Sequence, residues 1–213
     1  LAQLSNLTGL SSLEQALAPN IIMTDDPMRT KMLAAHYLEN SEIIYELRGL
    51  VGYNGSYKDE NISLVSTGYG ESSALLHLYD AMILGAKRIV YMGECISTTA
   101  DVGLRDVILS DSGDKLLIEQ TLASARVLAI DVSKRKVLTN DRFPLLNESL
   151  MGDIIDFASA SIATFAALNQ IALVAILTVT RNLATGESLE EHERQSRMNN
   201  AARLAFETLA SRE

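Results

Sequence analysis

One cysteine, no tryptophan, three prolines and twelve glycines are spread over 213 residues, and each scarcity excludes a class of protein. A single thiol, Cys95, cannot form an internal disulfide framework, and nothing near it has the spacing of a zinc site. So little proline and glycine, beside 47% apolar residues, excludes collagen-like, low-complexity and disordered chains. Cations are in the minority, with 18 Lys and Arg against 27 Asp and Glu and a net charge of -9. A chain of that charge repels phosphate backbones, so no nucleic-acid partner is expected. Long hydrophobic runs are missing too. The longest apolar stretch, Ile171 to Val179, is too short to cross a bilayer, and the first residues show no basic region followed by an apolar core. The expectation is a cytoplasmic protein with no membrane partner, in a reducing compartment.

What is present describes one compact domain over residues 21–213, preceded by an arm or loose helix over 1–20. An apolar run at Ile21–Met23 leads through Asp25-Asp26-Pro27 into a helix over Pro27–Leu38, with proline in its first turn. Tyr53-Asn54-Gly55-Ser56-Tyr57 reads as a hairpin, because Asn-Gly supplies the positive φ angles of a tight turn. A strand at Ile62–Ser66, a Gly68-Tyr69-Gly70 loop, a helix over Ser72–Leu84 and a strand at Arg88–Met92 make a βαβ unit. Further on come a weak strand at Ala125–Ile130, a solvated turn at Lys134–Lys136 and a break at Arg142-Phe143-Pro144. A small-residue helix over Ile155–Asn169, a strand at Ala172–Val179, a turn at Gly186 and a charged helix over Leu189–Ser211 complete the pattern. Alternating strands and helices imply an α/β fold with a mostly parallel sheet.

In such sheets ligands sit beyond the carboxyl ends of the strands, so the loops at 66–73, 93–98 and 180–186 mark the expected site. Gly68 and Gly70 leave room for backbone amides to approach an anion, or simply make a tight strand-to-helix connection. His36 and His77 lie among apolar neighbours and read as packed or surface residues before they read as ligands. His192, in Glu190-Glu191-His192-Glu193, has the wrong spacing for a metal, and no metal site is expected. Cys95 reads as a buried structural thiol before a nucleophile.

Six segments together resemble the purine nucleoside and uridine phosphorylase family, most closely its hexameric bacterial purine type. They are DDPMRTKMLAAHYLE (25–39), RGLVGYNGSYK (48–58), ISLVSTGYGESS (62–73), GAKRIVYMGEC (85–95), VGLRDVIL (102–109) and TVTRNLATGESLEEHERQ (178–195). The resemblance implies a three-layer α/β/α sandwich around a distorted mixed, mostly parallel sheet, and a homo-oligomer, either a dimer or a hexamer of three dimers. It implies reversible phosphorolysis of a nucleoside to base and ribose 1-phosphate, with no cofactor and with inorganic phosphate as co-substrate.

Residue by residue, the resemblance places Arg29, and Arg48 donated from a neighbouring subunit, at phosphate. Where the family has a glycine, a third arginine and a hydroxyl, this chain has Asp25, Tyr91 and Glu94. One carboxylate about 4 Å from phosphate at an effective dielectric near 20 costs roughly 4 kcal/mol, which is about a thousandfold in affinity. At the nucleoside subsite, Gly68 and Ser73 are joined by Asp156, Phe157 and Ala158, with Ala158 replacing the carboxylate that holds ribose. Arg181 stands where the purine enzymes carry an acidic Asp, and uridine phosphorylases use an arginine there. Ile96 replaces a glycine that lies against the base. The expectation is therefore a degenerate or repurposed nucleoside-binding or assembly homologue, with no catalytic residue assigned. Specifically, Glu94, with Asp25, is expected to turn into the phosphate subsite and pair with Arg29 and Arg48. The alternative is an active phosphorylase on a purine nucleoside or uridine, with Asp156, Tyr91, Asp141 and Arg142 as the candidate replacements.

Overall fold

The computed structural model describes residues 16–141, 152–196 and 198–211. Its organising element is β1 (Asn20–Thr24), five residues buried on both faces, as expected of a strand between parallel neighbours. β4 (Glu60–Ser66) pairs parallel on one side of it and β5 (Arg88–Ser97) on the other. β10 (Ala172–Asn182) continues the parallel set beyond β5. Two antiparallel strands, β3 (Leu50–Tyr57) and β2 (Glu39–Leu47), extend the β4 edge. At the other edge β6 (Val107–Ser110) runs antiparallel to β10 and carries β7 (Val132–Arg135). β9 (Ile154–Asp156) pairs antiparallel with the end of β5 and holds β8 (Val137–Thr139). The result is the distorted mixed sheet that the resemblance implied.

Alternation along β1 divides the core in two. Ile21 and Met23 join the cluster under α2 (Glu71–Ile83) and α4 (Ser159–Leu168), and Ile22 joins the opposite one. That second cluster lies under α1 (Pro27–Tyr37), α3 (Lys115–Leu128) and α6 (Asn199–Ala210). These are the two helical layers of the sandwich. No helix among the described residues is long and apolar enough to cross a membrane.

Several local expectations are corrected. Asn54-Gly55 is no turn: it lies within β3, opposite Ser63 and Ile62. A Cβ on Gly55 would come 2.9 Å from the Glu39 carbonyl oxygen and from Leu38 Cβ, so close approach of the chain leaving α1 explains this glycine. The tight turns fall instead at Arg48-Gly49 and Lys58-Asp59, where both central residues have positive φ, as a two-residue hairpin of type I′ requires. Ala125–Ile130 is the last turn of α3 and its exit through Ala129 in the left-handed region, not a strand. Lys134 and Arg135 belong to β7 rather than to a solvated turn. The expected helix from Ile155 begins only at Ser159, because Asp156 ends β9 and then accepts from the amides of Ala158 (3.3 Å) and Ser159 (2.7 Å). The C-terminal helix is two helices, α5 (Glu191–Ser196) and α6. The expected break at 142–144, with the candidate Arg142, lies outside the described residues, as do residues 1–15 of the expected arm.

Candidate functional site

The geometry begins with a helix cap. Asp26 Oδ1 accepts from the backbone amides of Met28 (2.7 Å) and Arg29 (3.4 Å), and Pro27 occupies the first turn of α1. This start fixes Arg29 on the first turn, where its side chain is 2% exposed and reaches toward the C-terminal half of β5. Its Nη1 donates to Asp25 Oδ1. Its Nη2 donates to Glu94 Oε1 at 2.8 Å and to the Arg194 carbonyl oxygen at 3.2 Å.

Glu94 is the centre of the arrangement. Oε1 also accepts from the Tyr69 hydroxyl at 2.9 Å. Oε2 accepts from Arg194 Nε at 2.9 Å, Arg194 Nη2 at 2.6 Å and Thr180 Oγ1 at 3.1 Å. Two guanidinium groups and two hydroxyls converge on one buried carboxylate, a donor set that also suits a bound oxyanion. The Glu94 amide donates to Asp25 Oδ2 at 3.2 Å, tying the second carboxylate to the same strand.

Electrostatics separate the two acids. Burial opposes ionisation of Glu94, but Arg29, Arg194 and the Tyr69 hydroxyl outweigh it and hold the carboxyl below its usual range. Asp25 has Arg29 as its cation while Glu94 stands close by, and burial together with that like charge lifts it to about 6. Burial also raises the hydroxyls of Tyr69 and Tyr91, with Asp25 contributing to each, so both stay protonated donors at neutral pH.

A pH prediction follows from the sign of the Asp25 shift. A carboxyl whose folded pKa is raised takes up its proton more readily when folded, so native stability gains as pH falls from about 6 toward the ordinary carboxylate value. Asp25→Asn removes that uptake. Between pH values of about 7.5 and 4.5 the stability difference is expected to move in favour of the native chain by on the order of 2 kcal/mol. Urea midpoints of the two proteins at both pH values measure it, and parallel curves would contradict a raised Asp25.

The structure thus brings Asp25, Arg29 and Glu94 together, and adds Arg194, Tyr69 and Thr180, to which sequence reasoning assigns no role. Within one chain Arg48, expected as a donation from a neighbouring subunit, sits on the exposed β2–β3 turn and makes no ion pair among the described residues, and the second cation that this chain itself brings to Glu94 is Arg194 of α5. The one signal for Arg194 is its position in HERQ, within the last family-like segment, where the surrounding charges suggest a solvated helix. Tyr91 is buried with Ile89 and Cys95 in the cluster under α2 and α4, on the face of β5 opposite to Glu94.

The remaining candidates are scattered around the strand ends. Gly68 and Gly70 both take positive φ, and Ser73 packs beside Gly68. The amide of Glu71 that opens α2 donates to Asp141 Oδ2 at 3.1 Å, so this amide of the loop holds a carboxylate of the chain itself. Phe157 meets Tyr69 edge-on, with centroids 6.5 Å apart. Asp156 is fully buried and spends its oxygens on Thr139 Oγ1 and the start of α4, and Ala158 is fully buried beside it. Burial raises the Asp156 carboxyl. Ile96 is buried between Ile155 and Arg181 in the sheet, while Arg181 itself is exposed. Cys95 is buried, and burial pushes its thiol up, as an inert structural cysteine requires. His77 is buried against the Ser73 carbonyl, and burial lowers it. No group of three or more metal-ligating side chains occurs among the described residues.

The fold is a nucleoside phosphorylase architecture. The crystal structure of purine nucleoside phosphorylase from Toxoplasma gondii, in complex with immucillin-H, has the same fold at a TM-score of 0.82 and 19% identity, over 92% of this chain and 91% of that one. Sequence comparison narrows the class: the DeoD-type purine nucleoside phosphorylase of Alkaliphilus metalliredigens is 31% identical over 90% of this chain and 94% of its own length. That of Oceanobacillus iheyensis is 28% identical over 91% and 94%. The chain belongs to the DeoD-type purine nucleoside phosphorylase family. No family model matches it.

Proposed function

We propose that this protein is a family member whose phosphate position is filled by its own carboxylate, and that it serves as a nucleoside-binding or assembly homologue rather than a phosphorolytic enzyme. The observation that carries the reading is the five hydrogen bonds converging on Glu94 from Arg29, Tyr69, Thr180 and Arg194. Phosphate entering this position would have to displace a carboxylate already neutralised and held in place, and would face Asp25 as well. Two further residues support it. Ala158 has no group to hold a ribose hydroxyl, and Arg181 stands where the resemblance places the acidic Asp of the purine enzymes. The chain is expected to form a homo-oligomer in the cytoplasm and to need no cofactor, with phosphate relevant only if turnover occurs.

The test is phosphate-dependent release of free base from inosine, adenosine and uridine by the purified protein, with an active DeoD-type enzyme as control. No release is expected. A nucleoside-dependent rise in Tm without product would mark the binding role. Turnover of inosine, adenosine or uridine would overturn the reading, and turnover of uridine alone would assign Arg181 to a pyrimidine carbonyl.

A further inference from the structure

The two helical layers of the sandwich differ in charge. In one, α3 exposes Lys115, Glu119 and Arg126, and α6 exposes Arg203. In the other, α4 has no charged residue, and beyond Glu71 in its first turn the only charged residue of α2 is Asp80, which is fully buried. A helix that faces water ordinarily carries polar and charged residues on its open side, and charged residues make up 21% of this chain. The open side of α2 is a stripe of another kind. Ser72, Leu76, Tyr79 and Ile83 lie at i, i+4, i+7 and i+11, with Leu76 41% and Ile83 43% exposed.

α4 lies beside this stripe, and Phe165 meets Tyr79 edge-on with ring centroids 6.3 Å apart, so the two helices share one open face. The part that α4 contributes is low: Ser161 and Thr164 are small, and Leu168, at the end of the helix, is 80% exposed. A bulky ridge on α2 therefore runs next to a shallow strip on α4.

That pairing of ridge and strip selects the occupant. A second copy turned about a two-fold axis lays its α2 ridge on this α4 strip and receives this ridge on its own strip, so one face supplies both halves of the contact. Charge agrees. Each copy carries a net charge of -9, and two such chains approach at least cost where neither presents a charged side chain. We propose that the outer face of α2 and α4 is the surface through which two copies of this chain pair about a two-fold axis. This names the contact behind the homo-oligomer expected above, and it rests on that reading.

The test is the mass of the full chain in solution, followed by sedimentation equilibrium over a dilution series. Leu76→Lys and Leu168→Lys each place a cation on the face, one from either helix, and Val127→Lys on α3, at a position 79% exposed, is the control outside it. Circular dichroism checks that each variant folds, and Leu168→Lys, at the more open position, decides the matter if Leu76→Lys does not. Expected are a dimer or a multiple of two for the native chain and for Val127→Lys, and pairing weakened by ~100-fold or more in the two face variants. An assembly kept by the folded face variants would overturn the proposal and leave the homo-oligomer standing. A native chain that is monomeric throughout would overturn both. Dissociation of Val127→Lys to the same degree would also overturn the proposal, because the effect would then not belong to this face.

Discussion

Glu94→Ala is expected to destabilise the protein by about 3–5 kcal/mol, because it leaves two guanidinium groups facing each other where one carboxylate neutralised both. Arg29 is 2% exposed and cannot turn to water, and the hydroxyls of Tyr69 and Thr180 lose their acceptor with it. For a chain of this size that amounts to a fall in Tm of about 10 °C. The variant also recreates an anion position. Inorganic phosphate or sulfate is therefore expected to restore much of the loss, since a ligand bound only by the folded state stabilises it by mass action. The native protein, whose position is already filled, is expected to show almost no response to the same anion. Glu94→Gln, which keeps the shape and an acceptor oxygen but drops the charge, should fall between the two. Thermal melts with and without phosphate measure all three proteins, and a native Tm that rises with phosphate as far as the variant's does would refute a built-in anion.

Arg29→Met has the opposite charge logic and an effect of similar size. Two buried carboxylates, Asp25 and Glu94, then share a space without the cation between them, at an expected cost of about 3–5 kcal/mol near neutral pH. The deficit should shrink in acid. Burial and the neighbouring acid already raise Asp25 to about 6 against the pull of Arg29. Without that pull the raised carboxyls bind protons more tightly when folded, which adds stability as pH falls through their folded pKa. The native chain moves the other way at Glu94. Its lowered carboxyl contributes stability above the ordinary value and loses it as pH falls through the folded one. Urea unfolding of both proteins at pH values of about 7.5 and 5 compares them. A deficit that stays constant would mean that the acids are not held together by Arg29.

Both variants test one feature: carboxylates of this chain take the donors gathered at the strand ends. Glu94 lies between Arg29 and Arg194, and Asp141 takes the first amide of α2. Charge complementarity inside one chain needs no ligand to hold the strand ends in place, which is consistent with a scaffold role.

Much of this protein is legible in its amino-acid sequence. The order of strands and helices, the Pro27 helix start and the six family-like segments define a nucleoside phosphorylase fold, because apolar periodicity and capping residues act over a few positions of chain. The pairing of Glu94 with Arg29 is also readable, as a substitution that puts an acid where an anion is expected. Local signals fail where tertiary contact outweighs them. Asn54-Gly55 has a turn's composition, but the crowding of Gly55 against Leu38 and Glu39 gives its glycine a different purpose inside β3. Val127 and Ile130 suggest a strand by their branching, yet Ala125 and Leu117 pack that segment as helix against the sheet. Arg194 stands out from its charged neighbours by nothing in the sequence itself. It lies 100 residues from Glu94 along the chain, and only the docking of α5 against the end of α1 brings it there. The sequence determined the elements, the family and the acid that faces Arg29, since these depend on residue type and near neighbours. The tertiary structure alone decided which cation this chain brings to that acid, since that depends on how distant segments pack.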